Sequence, residues 1–179
     1  MMAIIETYYT KVILPDLINK FDYDTLTKVP KIKKIILNFG DSSIGLKDLA
    51  SALLALELVA NKKGDVALSS KTNLMLKIRK GSPVGCKVIL TGSLMYRFIF
   101  KLIYEVFPTA KDFTPLKLSK KLNPTSFSFS IKDLTSFKEL SKQFYFFSSL
   151  PPLNIICLCN TTNKLELVYL LKSFKFPIN

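Results

Sequence analysis

The sequence predicts an α+β fold, with a mostly antiparallel sheet and helices packed on one side, from two kinds of apolar spacing and the order in which they occur. Phe127–Ile131 alternates Phe, Ser, Phe, Ser, Ile, the period of a strand with one buried face. Leu46–Ala60 is rich in Ala and Leu and long enough for about four helical turns. The two kinds of segment are mixed without a strict strand–helix–strand rhythm, which argues against a parallel sheet. The 179 residues suit one domain, 1–179, with a loop between central strands at about 70–82.

Glu6–Lys20 reads as a helix with Tyr9, Val12, Ile13 and Leu17 on one stripe, and Pro15 inside it predicts a break between two parts. Pro30 opens an extended segment. In Lys31–Phe39 the residues Ile35, Leu37 and Phe39 take one face, and Lys34, Ile36 and Asn38 the other. Gly40–Gly45 is a turn. The helix Leu46–Ala60 ends near Asn61-Lys62-Lys63-Gly64, where Gly64 is expected as the left-handed cap.

Val66–Ser69 is a short strand. Leu74–Arg79 and Val84–Thr91 are strand candidates on either side of the turn Lys80-Gly81-Ser82-Pro83. Ser93 is the expected cap of a helix whose apolar side is Phe98, Ile99, Leu102, Ile103 and Val106, and Pro108 should stop it. Lys111–Pro124 is a basic loop and Leu153–Cys159 another strand. Asn163 and Glu166 have capping-box spacing for a last helix that runs to about Phe174.

Charge is the strongest functional signal. Net charge is +13, from 26 Lys plus Arg against 13 Asp plus Glu. Residues 1–65 carry nine basic and eight acidic residues, whereas residues 66–179 carry seventeen and five. From Val66 to Tyr104 there is no acid, but Lys71, Lys77, Arg79, Lys80, Lys87, Arg97 and Lys101 occur. A solvated face explains a short run of this kind. One this long favours a phosphate-rich partner that offsets the self-repulsion.

Catalytic chemistry has little to work with. No histidine is present, which removes the commonest general base and zinc ligand. Cys86, Cys157 and Cys159 read as small buried apolar residues in a reducing compartment. Gly40-Asp-Ser-Ser-Ile-Gly-Leu-Lys47 nearly spells a phosphate-cradling loop, but Leu46 displaces the lysine and Asp48 stands where a hydroxyl belongs. A strand-to-helix turn is the better reading. The pairs Asp22/Asp24 and Asp41/Asp48 lack the apolar surroundings that raise a carboxyl pKa, so they read as turn and cap residues. No enzyme, cofactor, metal site or small-molecule substrate is expected. No apolar run approaches the ~20 residues of a membrane span, and Glu6 with Tyr8-Tyr9 does not look like an import leader.

Lys31, Lys33 and Lys34 follow Pro30 at a strand start. Lys71, Lys77, Arg79 and Lys80 surround the apolar Leu74-Met75-Leu76. Such cations neutralise phosphates without reading sequence. Asn38 and Thr91 are candidates for hydrogen bonds to sugars or bases from a sheet surface. Phe39, Phe127 and Phe129 are candidates for base stacking, with core packing favoured.

Several stretches, in order and at their spacings, resemble the large-subunit ribosomal protein five family. They are Tyr8-Tyr9, then Val29-Pro-Lys-Ile-Lys-Lys-Ile-Ile-Leu-Asn-Phe-Gly40, and most specifically Lys77-Ile-Arg-Lys-Gly-Ser-Pro-Val-Gly-Cys-Lys-Val88. Leu90-Thr-Gly92, Met95-Tyr96, Phe98, Phe107-Pro108, Asp112-Phe113 and Phe174-Lys-Phe-Pro177 follow. The resemblance covers nearly the whole chain. It implies an α+β protein of the central protuberance whose sheet face and first strand hold 5S ribosomal RNA. Carried over, it nominates Lys31, Lys33, Lys34, Asn38, Lys87 and Thr91 as rRNA-binding.

It also implies that the loop Lys71–Gly81, with Lys71, Lys77, Arg79 and Lys80, lies near P-site tRNA. Neighbouring large-subunit proteins, large-subunit rRNA and a small-subunit head protein would be further partners. Two stretches depart from the family pattern. Leu74-Met75-Leu76 stands where the family has a small-Gly-Phe step, and Thr114–Pro124 replaces a Gly-rich, Arg-containing stretch. Such drift points to an organellar version, in the mitochondrial matrix on the mitoribosome, ahead of a plastid or bacterial cytoplasm. The competing reading is a basic peripheral membrane protein that uses Phe144-Tyr-Phe-Phe147 and flanking lysines on anionic lipid.

Overall fold

Apolar spacing accounts for most of the elements in the computed structural model, which describes residues 4–40, 46–110, 123–147 and 150–178. The chain opens with α1 (Ile4–Tyr8), a π turn (Tyr9–Ile13), α2 (Leu14–Lys20) and a 3-10 turn (Leu26–Lys28). Then come β1 (Ile32–Gly40), α3 (Leu46–Ala60), β2 (Asp65–Leu68) and β3 (Pro83–Leu90). They are followed by α4 (Gly92–Lys101), a second π turn (Leu102–Val106), α5 (Phe107–Thr109) and β4 (Ser126–Ile131). A 3-10 turn (Leu134–Ser136), α6 (Lys138–Ser141), α7 (Phe144–Phe147), β5 (Leu153–Cys159) and α8 (Lys164–Ser173) complete it.

The strands form one five-stranded antiparallel sheet in the order β2-β3-β1-β5-β4, so the α+β expectation holds. Burial alternates along the strands as a half-covered sheet requires. On β1, Ile35, Leu37 and Phe39 are buried while Ile36 and Asn38 are only half-buried. On β5, Leu153, Ile155, Cys157 and Cys159 are buried, with half-buried residues between them. β2 pairs with β3 as Asp65↔Lys87, Val66↔Cys86 and Ala67↔Gly85, and a bulge follows before Leu68↔Pro83.

The chain divides into two compact units, Met1–Ile35 with Thr91–Phe129 and Ile156–Asn179, and Ile36–Leu90 with Ser130–Ile155. In the first, α1 packs on α4. Tyr9 lies stacked on Phe174, centroids 5.9 Å apart and planes 5° from parallel, and donates its hydroxyl to the Pro30 carbonyl at 2.9 Å. Phe107, Phe127, Phe129 and Phe176 form one aromatic cluster. In the second unit α3 packs on β3 and on α6. Ala52, Ala55, Leu56 and Val59 are the buried stripe of α3.

Four local expectations change. Pro15 and Pro108 do not end their helices. Each stands two residues after a π turn, whose long bond runs from the Leu14 amide to the Tyr9 carbonyl and from the Phe107 amide to the Leu102 carbonyl. A proline lacks an N–H and its ring collides with the carbonyl four residues back. The looser turn absorbs both problems, and the helical path continues to Lys20 and Thr109. Asn61, at φ 49°, takes the left-handed position after α3 in place of Gly64. Gly64 serves packing instead. A Cβ there would stand 2.8 Å from Leu53 Cδ1, and its N–H donates to Glu57 Oε1 at 3.0 Å.

Leu74–Arg79 is not a strand. Leu74–Lys77 is a turn closed by the pair Asn73↔Ile78. The N-cap of α4 is Thr91, not Ser93, and it makes no side-chain cap bond. Asn163 at the start of α8 also makes no cap bond to the backbone. Its amide donates to Glu166 Oε1 at 2.9 Å, so only a side-chain pair of the expected capping box is present. The Gly40–Lys47 turn and the Lys111–Pro124 loop lie largely outside the described residues.

Candidate nucleic-acid interface

The nominated residues fall into two groups, one in each unit. In the first unit, the backbone before β1 is pinned from two sides. Tyr9 holds the Pro30 carbonyl, and the Asn160 amide donates to the Lys31 carbonyl at 2.9 Å while its side chain donates to Thr27 at 3.0 Å. From this fixed base Lys31 and Lys33 are exposed and Lys34 is half-buried. Lys34 shares strand parity with Ile36 and Asn38, whereas Lys33 shares it with the buried Ile35 and is exposed near the strand start. Thr91 is exposed at the head of α4.

In the second unit the sheet face opposite Leu37, Phe39, Cys86 and Val88 carries Ile36, Asn38, Lys87, Ile89 and Asn154. Of these Lys87 is exposed and the others half-buried. It is a shallow face of amides, aliphatic side chains and one cation. β3 and β1 lie close because position 85 is glycine: a Cβ there would stand 2.2 Å from the Phe39 carbonyl oxygen. Asp65 faces Lys87 across β2 and β3 on this same side. That carboxylate was not singled out in the sequence, because the register that puts it beside Lys87 cannot be read from spacing.

Beyond β2 and β3 the chain continues as a hairpin. Ser69 and Ser82 bond through the Ser69 amide at 2.9 Å, the Gly81 amide returns to the Ser69 carbonyl at 2.9 Å, and Asn73 and Ile78 exchange both backbone bonds at 2.8 and 2.9 Å. Lys71, Lys77, Arg79 and Lys80 are all exposed on it. Among the described residues, no carboxylate forms an ion pair with these four or with Lys87.

Phe39 and Phe127 are buried and Phe129 lies in the aromatic cluster, so the core reading of these three holds. Burial drives the Cys86 thiol up to about 11 and Cys159 up to about 12, and it raises Cys157 as well. Thiols so held are poor nucleophiles. Asp24 pairs with Lys28 at 2.6 Å on the surface, as a turn residue would. Among the described residues no group of His, Cys, Asp or Glu is placed to hold a metal, and no helix is long and apolar enough to cross a membrane.

The family model that describes the C-terminus of the ribosomal uL5 family matches residues 83–178. The chain is 34% identical over 177 residues to the large ribosomal subunit protein uL5m of Reclinomonas americana, covering 98% of this chain and 97% of that one. It is 33% identical over 178 residues to the uL5 protein of Nitrosomonas europaea, with 98% of each covered. It is 35% identical over 172 residues to that of Wigglesworthia glossinidia brevipalpis, with 95% and 96% covered. These relatives do not favour the peripheral-membrane reading. Matched over nearly its whole length by large-subunit proteins and over its C-terminal half by their family model, the chain belongs to the uL5 family of structural, non-enzymatic ribosomal proteins.

Proposed function

We propose that this structural constituent of the large ribosomal subunit holds 5S ribosomal RNA, or an equivalent rRNA element, in the central protuberance. The observation that carries the reading is the sheet face with Asn38 and Lys87, half-open and lined by amides and aliphatic groups, in a chain whose basic excess lies beyond residue 65. A shallow face of this kind suits the sugar edges and unstacked bases of folded RNA. Lys31, Lys33, Lys34 and Thr91 extend the contact to phosphates and sugars. The hairpin with Lys71, Lys77, Arg79 and Lys80 lies near P-site tRNA, and other parts of the surface meet neighbouring proteins and the small-subunit head. The protein works in the mitoribosome, a reading supported by its likeness to the Reclinomonas protein, although bacterial relatives are nearly as similar.

Binding of the purified chain to a 5S rRNA transcript, followed across salt, tests this. Six to ten phosphate contacts predict a loss of about 10³ to 10⁵ in affinity between 50 and 200 mM salt. Gln at Lys31, Lys33, Lys34 and Lys87 together should flatten the salt slope by roughly four. A chain that sediments apart from large subunits, or binds RNA no better than this variant does, overturns the reading.

A further inference from the structure

The hairpin end carries three apolar side chains with nothing against them. Leu74 is 87% exposed, Met75 93% and Leu76 51%. A contiguous apolar patch on a surface loop marks a contact, and this one is built rigidly. The Asn73↔Ile78 pair closes a four-residue turn, the Lys77 amide returns to the Leu74 carbonyl at 3.1 Å, and Lys77 completes the reversal at φ 55°. Asn73 Oδ1 also accepts from the Leu76 amide at 3.4 Å. The apolar crown is therefore presented in one conformation, so docking costs little ordering entropy. Below it Lys71, Lys77, Arg79 and Lys80 form a cationic collar.

We infer that the crown of Leu74, Met75 and Leu76 packs on an exposed base-pair face of folded RNA, with the collar cations gripping the phosphates around that face. The inference deepens, and rests on, the reading that this hairpin meets tRNA. It assigns the recognition to apolar contact and gives the charges only the supporting part. Leu and Met are side chains that proteins set against opened base steps. A base-pair face is the one broad apolar surface that a polyanion offers, and phosphates lie within reach around it. A lysine-only loop would grip phosphate anywhere along a helix. The crown restricts the hairpin to places where stacking ends.

Two full-length variants separate the parts. One carries Leu74→Ser, Met75→Ser and Leu76→Ser. The other carries Lys71→Gln, Arg79→Gln and Lys80→Gln and leaves the positive-φ Lys77 in place. The probes are a tRNA transcript, a 5S rRNA transcript, a blunt-ended RNA duplex and the same duplex closed by loops at both ends. The crown variant should lose roughly tenfold in affinity for tRNA and for the blunt duplex. Its salt slope should not change, and it should bind 5S rRNA as the parent does. The collar variant should lose slope by up to about three on tRNA.

Equal affinity of parent and crown variant for tRNA overturns the inference, and so does a parent that does not distinguish open from closed duplex. Flotation with phosphatidylserine vesicles that the crown variant alone loses, with tRNA binding intact, overturns it in favour of lipid. Capture of a ribosomal protein that only the crown variant loses, again with tRNA binding intact, overturns it in favour of a protein partner. Failure of 5S binding with the crown effect intact removes the sheet-face reading and leaves this one standing.

Discussion

Gly85 lies against Phe39 so closely that a Cβ at position 85 would stand 2.2 Å from the Phe39 carbonyl oxygen and 3.1 Å from Gly40 Cα. The obstacle is backbone in a neighbouring strand, which cannot turn aside as a side-chain tip can. Gly85→Ala should therefore separate β3 from β1 and lower stability by about 2–4 kcal/mol, the range of overpacking that the backbone must absorb. Urea denaturation would show it as a fall in the midpoint. Gly64→Ala is the comparison, because its nearest obstacle is a leucine methyl that can move. It should cost clearly less.

Tyr9 joins the first π turn to the start of β1 through its bond to the Pro30 carbonyl. Tyr9→Phe keeps the ring on Phe174 and removes only the hydroxyl, leaving a buried carbonyl short of a partner. The expected loss is about 1 kcal/mol. Burial first, and the neighbouring Tyr96 and Tyr23 next, push the Tyr9 hydroxyl up to about 12. The folded state thus keeps a proton that the unfolded chain gives up near 10. The stabilisation is complete below pH 10 and is lost as pH rises through about 12. Melting temperatures from pH 9 to 12 should fall less steeply for Tyr9→Phe than for the parent.

These two contacts also mark what was readable in advance. β5 agrees residue for residue with its expected span, because Leu153, Ile155, Cys157 and Cys159 alternate cleanly and Pro152 bounds them. α3 agrees for the same kind of reason. Where one residue type serves two purposes the reading slipped. Pro15 and Pro108 looked like stops, since spacing does not reveal a π turn that makes room for the ring. Gly64 looked like a cap, while its lack of a Cβ is used against Leu53 and Val88. Leu74-Met75-Leu76 looked like a strand because apolar runs usually are buried, and here the run is the exposed turn itself. For the interface, the lysines and Asn38 could be nominated from residue type and resemblance. Asp65 could not, since cross-strand neighbours depend on register.

The three thiols should be silent in the folded protein. Cys86, Cys157 and Cys159 are free and buried, and burial holds Cys86 near 11, partly offset by a hydrogen bond from the Phe39 backbone. At neutral pH such a thiol has roughly a hundredfold less thiolate than an ordinary cysteine, before access is considered. Iodoacetamide at pH 7.5 should leave all three unmodified for hours in buffer and label all three in denaturant, as read by intact mass. Rapid labelling of Cys157 in buffer would show that β5 is not held in the core.

Asp65 gives the sharpest test of which sheet face meets RNA. It stands opposite Lys87 in the β2–β3 pair, the two share a face, and both are exposed. If RNA lies on that face, the carboxylate repels the phosphates that Lys87 attracts and also draws on the lysine's charge. Asp65→Asn removes both effects at nearly constant shape. It should tighten binding to a 5S rRNA transcript by roughly two- to fivefold near 100 mM salt, as expected for one charge at a solvated site. The gain should shrink toward 500 mM as screening shortens the reach of the carboxylate. Lys87→Gln should do the reverse, weakening binding and reducing the salt slope by about one. If Asp65→Asn leaves affinity unchanged at every salt concentration while Lys31→Gln still weakens it, the RNA contact stops at the β1 start, and the Asn38–Lys87 face must meet something other than phosphate.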